Sequence, residues 1–329
     1  MDTKIYHIYH DHMVIIESLA DGERLTGREL FEFLTRVPSR DRKNTKGLLR
    51  QDWLGQNSTS QFNIEYYFVD SAKEFLDFLE YARRRKDLIS PLLHIEAHGG
   101  RPSEEDRITA SAISFADKSE LYAEEAAPYF SQLNLHSEFN LEISFALCHG
   151  FFQSSMWASA FEKGIAAPFV ALNGVKNEVL PSELLEIYTN FYPVYFSTGE
   201  LKTIGGMLVQ STSRSSQMTF FDVKDLMVNF LRDLIANKLS SKEREERART
   251  IQLRAIQMTG EFILHDTITE CMSIDEHLKG KLEDHIRTFF AFDKIRHNKE
   301  RFADLTFEKL LEEAFPRVIG QDTDSTTIG

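Results

Sequence analysis

Two stretches about fifty residues apart carry the side chains with the clearest chemical potential. One is Leu92-Leu93-His94-Ile95-Glu96-Ala97-His98-Gly99-Gly100 and the other is Leu141-Glu142-Ile143-Ser144-Phe145-Ala146-Leu147-Cys148-His149-Gly150. Each is an apolar run of strand length that stops at a histidine or cysteine and then glycine. A chain presents a reactive group this way at the carboxyl edge of a parallel sheet, where the backbone turns and a substrate can approach. A free thiol has a pKa near 8.5, so only about 3% is thiolate at pH 7, and a nearby imidazole raises its reactivity by taking the proton. His98 suits the base and Cys148 the nucleophile. Gly99 and Gly100 remove side-chain bulk where a peptide would lie and let the backbone turn its N–H groups inward. For acyl transfer, the N–H groups of Gly99 and of Cys148 itself are candidates for an oxyanion hole, in which one donor is typically worth about 3–4 kcal/mol.

The elements that must position these tips follow from periodicity. Residues 4–17 read as a pair of short strands around a turn at His10–His12. Thr26–Leu34 has helical spacing, with Leu30, Phe31 and Leu34 on one face. The polar stretch 37–60 reads as a long loop, and 61–69 as a strand followed by a helix opened by the capping box Ser71-Ala-Lys-Glu74. Residues 92–97 form the histidine strand, 99–111 a polar loop and 112–116 a short strand. A helix begins at Ser119 with acids in its first turns. Then come strand 141–147, helix 154–163 ended by Gly164, strand 169–172 and helix 182–196. Strands alternating with helices predict an α/β fold with a mainly parallel sheet flanked by helices.

From about residue 221 the pattern becomes all-helical, over 222–239, 242–259, 261–271 and 275–296, and the stretch from about Gly320 has the composition of a disordered tail. This gives a catalytic domain over 1–220, a smaller helical domain over 221–318 and a tail over 319–329. The run 241–249 (Ser-Lys-Glu-Arg-Glu-Glu-Arg-Ala-Arg) is a solvated helix face with mixed charge pairs.

With 329 residues, 42% of them apolar, and a net charge of -13, the composition is that of a globular protein. The acidic balance excludes direct, sequence-independent nucleic-acid binding. No apolar run reaches the length of a membrane span, and polar residues interrupt the N-terminus, so neither membrane nor secretion is expected. Two cysteines, Cys148 and Cys271, make no disulfide framework and fit a reducing, cytoplasmic setting. Cys271, inside a helical pattern, reads as a core residue.

Other chemistries fit less well. His94, Glu96 and His98 alternate along one strand and so share a face. His94-x-Glu96 is the start of a zinc-deaminase pattern, but that site also needs Pro-Cys-x-x-Cys, which is absent. A zinc hydrolase built on His94, His98 and a distant carboxylate has no His-Glu-x-x-His helix behind it. Gly-x-Ser-x-Gly and the glycine-rich phosphate loops are also absent, and the 26 Phe and 10 Tyr read as core and interface. No metal and no cofactor is expected.

The His98-Gly-Gly and Cys148-x-Gly tips, together with Ser119-Glu-Leu-Tyr-Ala-Glu-Glu-Ala between them, resemble the caspase-like CHAT peptidases of the caspase, separase and gingipain clan. Gly164-Ile-Ala-Ala-Pro-Phe-Val-Ala-Leu172, a helix and Gly199-Glu-Leu-Lys are similar to the stretch after that family's nucleophile, so the likeness spans roughly residues 90–210. The spacing from His98 to Cys148 agrees with that of caspases. The chain departs from the family at Ala-Leu-Cys148-His149-Gly150, where members usually have Ser-Ala-Cys, then a polar residue and Gly. The resemblance implies a cysteine endopeptidase acting on protein substrates, with His98 as base, Cys148 as nucleophile and Gly99 in the oxyanion hole. His149, Gly100 and Asn173 stand as neighbours of the site. Family analogy further implies a partner-activated effector of a prokaryotic defence or death system, with the helical domain as the surface for a regulatory protein. The alternative is a catalytically inactive caspase-like interaction module. The loop Asn173-Gly-Val-Lys-Asn-Glu178 would help to read substrate, and its Lys176 and Glu178 favour opposite charges.

Overall fold

The computed structural model describes residues 10–38, 44–50, 62–100, 112–198, 218–233, 249, 276–303, 305–306 and 308–310. The chain divides into two compact units, Met1–Val223 with Lys294–Arg296, and Lys224–Asp293 with His297–Gly329. The expected tail over 319–329, the helical segments 242–248 and 250–275 with Cys271, and the Gly199–Lys202 stretch lie outside the described residues.

The first unit is built on strands β1 (His12–Glu17), β2 (Thr45–Leu48), β3 (Asn63–Phe68), β4 (Pro91–Glu96), β8 (Glu142–Ala146), β9 (Ala171–Val175) and β10 (Met218–Asp222). They form one sheet in the order β10-β9-β8-β4-β1-β3-β2. The pairs β1·β3, β1·β4, β4·β8 and β8·β9 are parallel, and the two edge strands β2 and β10 are antiparallel. A second, three-stranded antiparallel sheet has the order β5 (His98–Gly99), β6 (Ala112–Ser114), β7 (Glu120–Tyr122). The α/β class with a mainly parallel sheet is thus as the sequence leads one to expect. Helices α1 (Thr26–Thr35) and α5 (Pro181–Thr198) pack against one another, as do α2 (Ala72–Arg83) with α3 (Ala123–His136) and α3 with α4 (Ser155–Glu162). The described helices of the second unit are α6, which runs on from Val223 to Asp233, α7 (Glu276–Phe289) and α8 (Asn298–Arg301), with turns and irregular backbone after α7 and α8.

Several boundaries differ from the sequence reading. Strand β2 occupies the stretch expected to be all loop, because its backbone closes the free edge of β3. Residues 120–122 are strand rather than helix, since pairing with β6 delays the start of α3 to Ala123. Residues 218–222 pair with β9 before the first helix of the C-terminal region begins. The cysteine strand's neighbour runs over 171–175, not 169–172, so Asn173 lies within β9 and not in the loop. At α2, Ser71 Oγ accepts the N–H of Glu74 as a cap should, but the Glu74 carboxylate takes the N–H of Asp70 instead of Ser71.

The central strands are buried on both faces, which explains their continuous apolar runs. On the α1/α5 face, Met13, Ile15, Leu92, Phe31 and Phe191 form part of the apolar core. That same face carries a buried polar stripe. The registers Glu17↔Glu96, Ile15↔His94 and His94↔Ser144↔Asn173 bring Glu17, Glu96, His94, Ser144 and Asn173 together across four strands. Glu17 caps α1 from ten residues upstream: its Oε1 accepts the Gly27 N–H at 2.7 Å, while Oε2 accepts the Tyr66 hydroxyl at 2.7 Å. A Cβ at Gly27 would stand 3.1 Å from Glu96 Oε2 and 3.2 Å from Glu17 Oε1, so glycine lets the helix terminus reach the carboxylates.

Burial pushes the Glu17 carboxyl up to about 6, and burial with the neighbouring Glu17 charge holds Glu96 well above the usual range. Burial lowers His94 to about 3. His94 and Glu96, 3.4 Å apart, are therefore a neutral hydrogen-bonded pair, and His94 Nδ1 meets the Tyr192 hydroxyl at 2.8 Å. The pH dependence of stability follows. Because Glu17 titrates near 4.5 when unfolded and near 6 when folded, the native state holds the extra proton between those values. The stabilisation is complete below about pH 4.5 and is lost as pH rises through 6, about 2 kcal/mol for this group. Denaturant melts between pH 4.5 and 7.5 should show that decline, and Glu17→Gln should flatten it.

Candidate active site

The strands of the parallel core run in the order β3-β1-β4-β8-β9, so the chain reverses its direction of travel across the sheet between β1 and β4. Sheets of this kind bind ligands beyond the strand carboxyl ends at such a switch point. Four connections converge on that edge: the loop after β1 with Glu23, the β4–β5 bend with His98, the turn after β8 with Cys148, and the loop after β9 with Val179.

His98 leaves the plane of the main sheet. The chain bends at Ala97 and His98 pairs with Ser114 of β6, so its side chain is 54% exposed while His94 and Glu96 are buried. The expectation that His94, Glu96 and His98 share one face therefore fails at that bend, and with it the metal reading of His94 and His98. The His98 ring is held by Glu23: Nε2 lies 2.9 and 3.0 Å from the two carboxylate oxygens. Glu23 is itself fixed by the Ala20 N–H, which donates to its Oε2 at 2.6 Å. This bond keeps the proton on Nε2 and makes Nδ1 the basic nitrogen of the neutral ring.

Gly99 brings the two tips together. A Cβ at that position would stand 1.8 Å from the Cys148 carbonyl oxygen and 2.6 Å from Leu147 Cδ1. Only a residue without a side chain lets the histidine tip lie against the cysteine tip. The Gly100 N–H donates to Ala112 O at 3.2 Å, and alternation along β5 turns the Gly99 N–H away from β6.

Cys148 is half-buried, two residues beyond β8. Its Sγ accepts the Val179 N–H at 3.4 Å and its thiol donates to Val179 O at 3.6 Å. His149 has left-handed backbone (φ 58°), a conformation that histidine adopts more readily than most residues. Gly150 follows because the chain folds back so tightly that a Cβ would meet Phe145 O at 2.3 Å. Asn173 is fully buried in β9, its amide donating to Ser144 Oγ at 2.8 Å and its Oδ1 accepting the Tyr188 hydroxyl at 3.3 Å. It belongs to the polar stripe.

No protein-family model matches the chain, and no curated protein matches it. Among solved structures, the chain is similar to a secreted C11 cysteine protease from Bacteroides thetaiotaomicron, determined in complex with an irreversible peptide inhibitor. The two share 11% identity over 69% of this chain and 71% of that one, with a TM-score of 0.35. So loose a likeness assigns no activity.

Sequence reasoning missed Glu23 and Val179. Both sit in loops, and nothing in a linear reading says that the loop after β1 lies beside the tip of β4. The one signal was the acidic turn Asp21-Gly22-Glu23, separated by three residues from an apolar strand. Among the described residues, ligand atoms of His12, Glu65 and Asp87 also come within 4.8 Å of one another. Burial pushes the Glu65 carboxyl up, but hydrogen bonds from Arg85, Lys46 and Tyr67 outweigh this and hold it at about 2. Arg85 forks onto Glu65 at 2.6 and 2.9 Å and reaches Asp87, so these carboxylates are already balanced by cations of the chain. Among the described residues no helix is long and apolar enough to cross a membrane.

Proposed function

We propose that this chain is a caspase-like cysteine endopeptidase in which Cys148 attacks a peptide carbonyl and His98 takes and returns the proton. The observation that carries the reading is the seat of Gly99 against the Cys148 carbonyl, which sets the histidine and cysteine tips side by side at the carboxyl edge of the sheet. In the first step the Sγ–carbonyl bond forms as the thiol proton passes to His98 Nδ1. The Gly99 N–H stabilises the oxyanion, and the protonated imidazole then hands its proton to the leaving amine. Water, deprotonated by the same imidazole, then attacks the thioester carbonyl; the C–S bond breaks, the acid is released and the imidazolium returns its proton to the Cys148 sulfur. Glu23 orients the ring and fixes its tautomer, so that Cys148, His98 and Glu23 act as a triad.

The test is covalent capture. A peptide bearing an electrophilic ketone should add to Cys148 in the full-length chain, with site-resolved mass spectrometry separating it from Cys271, and His98→Ala should slow that addition at least about a hundred-fold. Equal addition to both cysteines would overturn the reading in favour of a non-catalytic interaction module. Glu23→Gln should reduce turnover about ten-fold, a modest factor because both partners face solvent and the pair is screened. A regulatory protein acting through the second unit, and a place in a prokaryotic defence response, belong to the same proposal. Co-purification of the full chain with its binding partners, followed by cleavage assays with and without them, tests both.

A further inference from the structure

His149 has no role in the steps above, yet both its backbone and its ring are held by the loop after β9. Its backbone N–H donates to Asn177 O at 3.3 Å, and Nδ1 of its ring lies 3.0 Å from Lys176 O, where only an Nδ1–H can make the bond. The ring is 11% exposed, with Nε2 4.0 Å from the Glu178 carboxylate and its face tilted against Phe152. Lys176 lies over the Phe151 ring at 5.1 Å. A Cβ at Gly174 would stand 2.8 Å from the Gly150 carbonyl carbon, so the end of β9, just before this loop, and the turn after Cys148 are pressed together. The segment from Lys176 to Leu180 is thus fastened along the residues that follow the thiol.

The fastened segment ends on the thiol itself. The N–H and carbonyl of Val179 bracket Cys148 Sγ, and Leu180, the next residue, is 63% exposed. With both groups on the sulfur, at 3.4 and 3.6 Å, the main chain of Val179 covers that side of the thiol. We infer that residues 176–180 form a strap that occupies the Cys148 thiol in the resting chain, and that His149 is the positioning residue that pins it. Access to the thiol requires the strap to lift, which breaks the ring's bond to Lys176 O and both contacts of Val179 with the sulfur. The consequence for cleavage rests on the proposed peptidase activity; the occupation of the thiol does not.

The experiment is the rate at which iodoacetamide alkylates Cys148 in the full-length chain, followed by site-resolved mass spectrometry. His149→Gly keeps the left-handed backbone without strain and removes the ring. It should raise the rate about five-fold, the factor corresponding to one neutral hydrogen bond of about 1 kcal/mol. His149→Ala should do the same if it folds, and His149→Asn, which tolerates the same φ and can donate an amide, should return part of the protection. A His149→Gly chain that keeps its native circular dichroism and alkylates at or below the wild-type rate would overturn the strap. The same factor should appear in kcat/KM for a peptide, because a closed strap lowers the competent fraction. Faster alkylation without any peptide cleavage would keep the strap and overturn the peptidase. Unchanged alkylation beside cleavage that depends on Cys148 would do the reverse.

Discussion

Replacement of Cys148 by alanine is expected to reduce peptide-bond cleavage by about five to six orders of magnitude, to the level left when a nucleophile that acts in concert with its base is removed. The fold should survive. The side chain is half-buried at a turn, and its sulfur makes two long contacts, to one residue of a loop. Losing them should cost under about 1 kcal/mol, within the ordinary range for a partly exposed site. The measurement is digestion of a mixed peptide library read by mass spectrometry, with a thermal melt alongside. Cleavage retained by the variant would show that another group performs the attack. A wild-type chain that neither cleaves the library nor adds a peptide electrophile at Cys148 would instead place it among non-catalytic interaction modules.

The second large effect is at Gly99. Alanine there would put a methyl group 1.8 Å from a backbone carbonyl oxygen and 2.9 Å from its carbon, and no rotamer can relieve a clash with main chain. Either β5 or the turn after β8 must move. Overpacking of this kind costs about 1–3 kcal/mol. In the proposed peptidase the same displacement would misplace the Gly99 N–H and His98, and loss of one oxyanion donor alone lowers turnover about a hundred- to a thousand-fold. Gly100 supplies the control for stability: a Cβ there would lie 4.0 Å from Ala112 O, ordinary contact, so Gly100→Ala should stay within about 0.5 kcal/mol of wild type. A Gly99→Ala chain with native stability and turnover would show that the two tips are not in the tight contact described, and would remove the main support for the dyad.

Much of the architecture was legible because the parallel strands are buried on both faces and so read as unbroken apolar runs, alternating with helices that carry their own stripe. The edges were less legible. Strand β2, with only four residues and a half-exposed pattern, and β10, which runs into a helix, are defined by a neighbour's free edge more than by their own composition. His94 and Glu96 have the residue types of a site and are instead core. Their register places them beside Glu17 and Ser144 under α5, where His94 bonds the Tyr192 hydroxyl and Glu96 Oε2, while the buried Glu96 Oε1 is left without a hydrogen-bond partner.

The sequence by itself determined the alternation of strand and helix and the residues that end β4 and β8, since periodicity, glycine and chain length are local properties. It therefore named His98, Gly99 and Cys148 as one group. Only the tertiary structure decided which strands are neighbours, because strand order rests on pairings between residues far apart in the chain. That order brought Glu23 from the loop after β1 to His98 and Val179 from the loop after β9 to Cys148. It also converted Gly99 from a turn residue into the point where the two tips touch, and His149 from an unassigned neighbour of the cysteine into the pin of the strap that covers it.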